Sequence, residues 1–381
     1  MTQNISMEEY SRITPQIEDL TERWSKNCHI DRALYQKYDV KRGLRDANGR
    51  GVLASLTRIS EVKGYTVDGN DTIPCEGVLY YRGYDVRELV NGSLSDKCFG
   101  FEETIYLLLF GELPTAAQLE EFRGLLNDYC GLPGSFVRDV IMKVPTGDMM
   151  NTLARAILTL IANTPQLAIY SYQAYRARQG HDLYLHVPNP ELSMAENILY
   201  LLRADKQYTE LEARALDAAL ILHADHGSNN STFTNHVVSS SGTDTYSAIT
   251  ASLCSLKGPR HGGANIKVVQ MIDDLKAQIR SYLEDTLAKR AFDGSGLIYG
   301  IGHAVYSLSD PRAEVLRKFA IDISREKGLS DEMELRLIVE RVAREMLTAR
   351  NGRPASSNVD FYSGFLYQML GLPQELFTPL F

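Results

Sequence analysis

Three short segments in the second half of this 381-residue chain gather histidines and two arginines among glycines. They are Ile221-Leu-His223-Ala-Asp-His226-Gly227, Gly258-Pro-Arg-His261-Gly-Gly-Ala-Asn265, and Gly300-Ile-Gly-His303 running on to Asp310-Pro-Arg312. The chain has only eight histidines, so this concentration points to chemistry rather than to background usage. Glycines beside His261 and His303 let the backbone approach a ligand closely. Further on, Asn358-Val-Asp360 supplies a carboxylate suited to general-base work.

Each of these residues also has a plainer reading. His223 and His226 stand one helical turn apart and could offer two imidazoles to a metal, but a zinc site needs a third ligand, and Asp225, His236 and His261 follow no zinc spacing. No metal is therefore expected. His223 is expected to pack at a helix end, where a cation meets the C-terminal dipole favourably, and His226, just before Gly227, is expected to be functional. His261 could donate a hydrogen bond to a carbonyl oxygen as charge develops on it, or it could be a surface histidine in a glycine-rich turn; the local sequence leaves both open. Ser357-Asn-Val-Asp360 fits a capping box, so Asp360 reads equally as a helix cap and as a base held ionised by a helix N-terminus. Arg312, in the first turn of a helix, gains nothing from the dipole there, which favours an anionic ligand. Gly300-x-Gly302 lacks the third glycine and the preceding strand of a dinucleotide fingerprint.

The elements that must position these residues are mostly helices with clear punctuation. Thr115 to Gln118, Ser193 to Glu196 and Thr209 to Glu212 are capping-box patterns, each opening a helix, and the third helix should end at His223. A helix from about Thr243 carries Tyr246, Ile249 and Leu253 and stops at Gly258-Pro259, leaving His261 in a loop. Another should start near Ala264 and bury Val268, Ile272, Leu275 and Ile279. Asp310 followed by Pro311 is an N-cap with proline at the first helical position, which leaves His303 in the preceding loop. A long helix after Ser330 should bury Leu335, Ile338, Val342 and Met346 before Asn351-Gly352 ends it. Strand signal is confined to about Gly51 to Tyr84, around the turn-rich Val67-Asp-Gly-Asn-Asp71. The expected fold is all-α with a small N-terminal β-hairpin.

Length favours two domains, because single cores stop growing at about 250 to 300 residues. A formal net charge of -8 argues against nucleic acid or an anionic membrane as partner. Cys28, Cys75, Cys98, Cys130 and Cys254 form an odd, scattered set without CxxC spacing, so neither a disulfide framework nor structural zinc is indicated. The N-terminus lacks the basic start and apolar core of a signal peptide, and no run of about 18 apolar residues suggests a membrane span. A cytoplasmic protein is expected.

Taken together these segments resemble the citrate synthase family. So do Gly77-Val-Leu-Tyr-Tyr-Arg-Gly-Tyr84, Glu103 to Pro114 and Leu192-Ser-Met-Ala-Glu-Asn197, so the likeness runs from about Gly51 to Phe381. It implies condensation of acetyl-CoA with oxaloacetate and hydrolysis of citryl-CoA to citrate and CoA, with the CoA thioester as substrate and no metal or redox cofactor. By resemblance His261 hydrogen-bonds the thioester carbonyl, Asp360 removes a methyl proton, His303 polarises the oxaloacetate ketone, and His226 and Arg312 hold oxaloacetate oxygens. The likeness also implies a homodimer of subunits with a large helical domain, residues 1–261 with 372–381, and a small domain, residues 262–371, that closes over oxaloacetate. Three departures stand out. Tyr306-Ser307-Leu308 replaces a stretch that usually carries a basic residue or threonine and contributes to the CoA contact. Gly147-Asp148 stands where a histidine is common. The family has a further large-domain segment beyond the position of Phe381, with two more oxaloacetate-binding arginines, so the chain as given is expected to dimerise yet bind oxaloacetate weakly. The rival readings are a 2-methylcitrate synthase using propionyl-CoA and a non-catalytic paralogue, with a metal-dependent hydrolase built on His223 and His226 more remote.

Overall fold

The computed structural model describes residues 57–68, 71–128, 164–227, 229–258, 262–275 and 278–380, together with Pro15 and Lys37. His261, Gly147-Asp148, Cys28 and Cys130 lie outside the described residues. The chain divides into two compact units, Met1–Val52 and Leu53–Phe381. In the first, Pro15 and Lys37 are helical; everything below concerns the second.

Strands β1 (Ser60–Asp68) and β2 (Asp71–Tyr81) form the expected hairpin, and a two-residue strand β3 (Tyr84–Asp85) adds to β2 to give a three-stranded antiparallel sheet. The register slips at a bulge between Lys63 and Tyr65. Helices follow: α1 (Val86–Ser95), α2 (Phe101–Phe110), α3 (Ala116–Asp128), α4 (Thr164–Arg178), α5 (Met194–Leu202) and α6 (Glu210–His223). Then come α7 (Asn230–Ser239), α8 (Thr245–Leu256), α9 (Ala264–Asp273), α10 (Ile279–Leu287), α11 (Pro311–Glu326), α12 (Ser330–Asn351) and α13 (Val359–Met369), with a last short turn, α14 (Phe377–Leu380). Among the described residues no helix is long and apolar enough to cross a membrane.

Three helix starts fall where the sequence places them. Ser193 and Thr209 each accept from the backbone N–H three residues on, while Glu196 and Glu212 reach back. Gln118 does the same for Thr115 at the start of α3. The core is built on α6 and α13, which are buried on nearly every side, from Ala213 to Leu222 and from Phe361 to Tyr367. Helices that are apolar all round belong at the centre of a domain, and both lead into chemistry: α6 ends at His223 and α13 begins beside Asp360.

Two helices differ from expectation. The stretch from Ala264 to Ile279 is two helices rather than one, with α9 ending at Asp273. Tyr282 of α10 folds back over the break, its hydroxyl 3.2 Å from the Met271 carbonyl and 2.9 Å from the Asp274 carboxylate, so a donor stands beside a carbonyl that a continuous helix would bond internally. In α12 the fully buried stripe is Met333, Arg336, Val339, Glu340 and Ala343; Leu335, Val342 and Met346 pack only partly against the core. The charged members have partners. Arg336 lies over the Phe365 ring at 3.6 Å, and Glu340 accepts from Ser357 and Tyr362.

A buried polar junction ties α5, α6 and α11 together. Glu212 is bonded by Arg203 at 2.8 and 2.9 Å and by Lys327 at 2.6 Å, and Arg203 also reaches the Leu370 carbonyl at the end of α13. Burial alone would raise the Glu212 carboxyl, but these donors and the Thr209 amide outweigh it and hold it at about 2. A carboxyl lowered on folding stabilises the fold above its unfolded value of about 4.3 and loses that contribution as pH falls through about 2. Glu212→Gln should therefore lower the melting temperature at neutral pH, and the gap to the parent should close as pH falls from about 4.3 toward 2. A gap that stayed constant across that range would show that the charge of Glu212 is not the stabilising element.

Candidate active site

His226 sits three residues beyond the end of α6, and the sheet holds it there. The Tyr81 hydroxyl donates to the Asp225 carbonyl at 2.8 Å, lies 3.0 Å from the Ile221 carbonyl, and accepts from the Asp225 N–H at 3.2 Å. Buried Tyr81 thus closes the exposed end of α6 and sets where the chain turns toward His226. The sequence suggests no such role for the hairpin.

His303 is fixed by its own loop. Its Nδ1 accepts from the backbone N–H groups of Val305 at 3.0 Å and Tyr306 at 3.2 Å, so the ring proton resides on Nε2. The rings of His226 and His303 meet edge to face, 5.1 Å between centroids. Tyr306 stacks on His303 at 4.7 Å, and its hydroxyl lies 3.2 Å from both His226 Nε2 and the Val78 carbonyl.

The loop from His303 to Asp310 rests on β2. The Gly77 N–H donates to Ser309, whose hydroxyl in turn donates to Glu76. A Cβ at position 77 would lie 2.1 Å from the Ser309 carbonyl oxygen and 2.8 Å from the Tyr306 ring, an approach only glycine allows. Gly77→Ala should consequently push the loop off the sheet, at a cost of about 1 to 3 kcal/mol in stability, and weaken binding of any ligand held by His303. Denaturant unfolding and a calorimetric titration measure the two effects; parent-like values in both would refute this account of the loop seat.

Asp360 is brought to the same place by a clip between two loops. Ile301 pairs with Ser357 as an isolated bridge, the Gly302 N–H donates to the Ser356 carbonyl at 2.7 Å, and the Asn358 N–H donates to the Gly300 carbonyl at 2.9 Å. The Asn358 side chain spans both loops, donating to the Gly302 carbonyl at 2.9 Å and accepting from the Asp360 N–H at 3.1 Å. This corrects the capping-box reading of Asp360. The N-cap of α13 is Asn358, while Ser357 turns inward and donates to Glu340. Burial pushes the Asp360 carboxyl up to about 7; Arg312 opposes the rise and Asp310 adds to it.

Arg312 sits in the first turn of α11, whose N-cap is Asp310 and whose first residue is Pro311. Asp310 is the cap that the sequence predicts, accepting from the Arg312 N–H at 3.0 Å. Its carboxylate also takes Arg312 Nε at 3.1 Å and Nη2 at 2.9 Å. Both residues are buried, at 5% and 1% exposure for Arg312 and Asp310. Burial works against charge on each, yet each holds the other ionised: the Asp310 carboxyl is lowered and the guanidinium raised. The pair orients the guanidinium and leaves Nη1 and the remaining Nη2 proton for a ligand.

His223 is not a cation at a helix end. Burial and the nearby Arg312 hold it at about 3, so it is neutral at ordinary pH, packed against Tyr367 with 3.2 Å between Nδ1 and the tyrosine hydroxyl. Burial also drives His226 well below the ordinary histidine value, with Arg312, His303 and His223 adding to the effect. Among the described residues no three histidine, cysteine or acidic side chains lie close enough together to hold a metal ion.

The structure thus gathers His226, His303, Arg312 and Asp360, with Tyr81, Tyr306, Asp310 and Asn358 as the supporting residues that sequence reasoning missed. Asp310 alone carried a local signal, standing two residues before the arginine. The arrangement offers a cationic fork, a ring N–H donor and a carboxyl that titrates near neutrality, which together suit proton abstraction beside a bound anion.

Comparison with known proteins agrees with this chemistry. Residues 47–381 match the family described as citrate synthase, C-terminal domain. A citrate synthase of Synechocystis sp. is 34% identical over 356 residues, covering 87% of this chain and 82% of that protein. A 2-methylcitrate synthase of Shewanella oneidensis is 33% identical over 361 residues, covering 90% and 88%. Among solved structures, a ternary complex of citrate synthase from Thermoplasma acidophilum with carboxymethyl coenzyme A and oxaloacetate superposes with a TM-score of 0.72 at 25% identity, covering 87% of this chain and 86% of that one. The mostly helical fold, the ordered motifs and these likenesses agree, and the chain belongs to the citrate synthase family.

Proposed function

We propose that this protein condenses acetyl-CoA with oxaloacetate and hydrolyses the resulting citryl-CoA to citrate and CoA. The observation that carries the reading is a carboxyl raised to about 7, Asp360, in the field of buried Arg312 and on a loop clipped to the one that carries His303, whose ring proton is fixed on Nε2. A thioester methyl is a weak acid, and a base poised near neutrality removes its proton only while the enol oxygen is stabilised at the same moment. Asp360 is the base. His261, which lies outside the described residues, is assigned to the thioester oxygen on its motif. His303 offers Nε2–H to the ketone oxygen as the enol attacks, and the outward face of Arg312, with His226, holds the ketodiacid.

The reaction moves protons and forms one carbon–carbon bond without net electron transfer to a cofactor, so the reading assigns no redox group and no metal. It also assigns a homodimer, a cytoplasmic location, and a small domain over residues 262–371 that closes on oxaloacetate to exclude water until condensation is complete. The 2-methylcitrate synthase relative keeps propionyl-CoA in play, because one added methyl changes binding by only about 1 to 3 kcal/mol. Thiol release with oxaloacetate and either acetyl-CoA or propionyl-CoA tests the assignment. Faster release with propionyl-CoA would make the protein a 2-methylcitrate synthase, and no release with either would overturn the reading.

A further inference from the structure

Tyr306 makes two contacts that its single proton cannot both supply. Its hydroxyl is 3.2 Å from the Val78 carbonyl and 3.2 Å from His226 Nε2. A carbonyl oxygen only accepts, so the phenol proton goes to Val78, and the phenol oxygen must then accept from Nε2–H of His226. The ring is buried and stacked on His303, and burial raises the phenol well above its usual value, so that proton stays in place. His226 and His303 therefore carry their protons on the same ring atom but use them differently. His303 fixes Nδ1 on its own loop and so carries its proton on Nε2; His226 directs Nε2–H at Tyr306 and has Nδ1 left for a ligand.

The charges facing His226 come from three elements. Arg312 of α11, with its partner Asp310, lies on one side; His303 belongs to the loop before α11; His223 ends α6. Burial, Arg312, His303 and His223 all disfavour a second proton on His226, so in the free protein Nδ1 presents a lone pair. A carboxylate brought in by Arg312 would meet that lone pair with one of its own. Only a proton between them turns the contact into a hydrogen bond.

We propose that Tyr306 is a positioning residue that fixes the Nε2–H tautomer of His226, and that binding of a dicarboxylate beside Arg312 is accompanied by uptake of one proton from solvent at His226 Nδ1. The bound anion offsets the cationic field of Arg312, and the imidazolium donates from Nδ1 to the ligand and from Nε2 to Tyr306. The proton balance is simple: solvent or buffer loses the proton that His226 gains.

The second half rests on the assignment of oxaloacetate as ligand; the first does not. Nitrogen-15 spectra of histidine-labelled protein, with the His226 signals assigned through His226→Asn, read the tautomer directly. The free parent should show His226 as a single neutral Nε2–H form, and Tyr306→Phe, which keeps the stacked ring and removes only the oxygen, should show a mixture of tautomers. An Nδ1–H form in the parent, or an unchanged single form in Tyr306→Phe, would overturn the positioning role. Saturating oxaloacetate should convert the parent signal to the doubly protonated pattern, and calorimetry in buffers of different ionisation heat should register uptake that persists in Asp360→Asn. A neutral His226 at saturation would overturn the coupling while leaving the enzyme assignment standing. Absence of any oxaloacetate binding or turnover would overturn that assignment and the coupling together, with the tautomer still decided by the free protein. In kinetics Tyr306→Phe should raise KM for oxaloacetate about 3- to 10-fold and change kcat much less, the loss expected for one hydrogen bond.

Discussion

Asp360→Asn should lower turnover by about two to four orders of magnitude while oxaloacetate affinity stays within a few-fold of the parent. An amide cannot accept the methyl proton, and losing a general base costs about 10²- to 10⁴-fold. The fold has no stake in the carboxylate as a cap, because Asn358 caps α13 and bonds the Asp360 N–H rather than its side chain. Since burial places the Asp360 carboxyl at about 7, kcat/KM of the parent should climb as pH rises through that value and then level off. Asp310→Asn provides the companion test. Asp310 helps raise the Asp360 carboxyl and also engages Arg312, so its removal should shift the midpoint of that climb to lower pH. Turnover of Asp360→Asn within a few-fold of the parent, or a midpoint that moved upward in Asp310→Asn, would remove Asp360 from the role of base.

Arg312→Lys should weaken oxaloacetate binding by about 10- to 100-fold and destabilise the protein as well. A guanidinium satisfies Asp310 with one edge and keeps donors for a ligand on the other, whereas an ammonium is a point charge that must choose. One charge-assisted contact is worth about 1.5 to 3 kcal/mol, which sets the affinity range. Depriving buried Asp310 of part of its compensation adds a stability loss, and removing the partner outright, as in Arg312→Met, is expected to cost about 3 to 5 kcal/mol. Calorimetric titration and denaturant unfolding separate the two effects. Unchanged affinity with reduced stability would reduce Arg312 to a structural ion pair.

What the sequence made legible follows from how far each signal reaches. Caps and breaks are local, so the ends of α6, α11 and α12 could be placed from Thr209, Asp310-Pro311 and Gly352. The reactive residues stood in short glycine-flanked motifs that a family likeness could order. Illegible were the partners joined across the fold: Tyr81 with Asp225, Tyr306 with His226, and Ser357 and Tyr362 with Glu340. Glu340 shows the physical reason. An apolar stripe predicts the buried face of a helix only while burial tracks hydrophobicity, and in α12 a charged residue entered the core because two hydroxyls awaited it. The split between α9 and α10 has a similar origin, in a tyrosine hydroxyl that no helical periodicity can announce.

The hairpin under the site has a consequence for how the protein is made. Tyr81 meets Ile221 140 positions later, Gly77 meets Ser309 232 positions later, and Tyr306 returns to Val78 across 228. Contacts this distant close slowly, whereas a hairpin forms in about 1 to 10 μs. During synthesis the hairpin segment therefore leaves the ribosome long before the loop that must sit on it, and the face around Gly77 stays uncovered until that loop arrives. In refolding, sheet and helix signals should return well before oxaloacetate binding does, and Gly77→Ala should slow or prevent the late step without touching the early one. Simultaneous recovery of all signals would show that the loop and its seat form together.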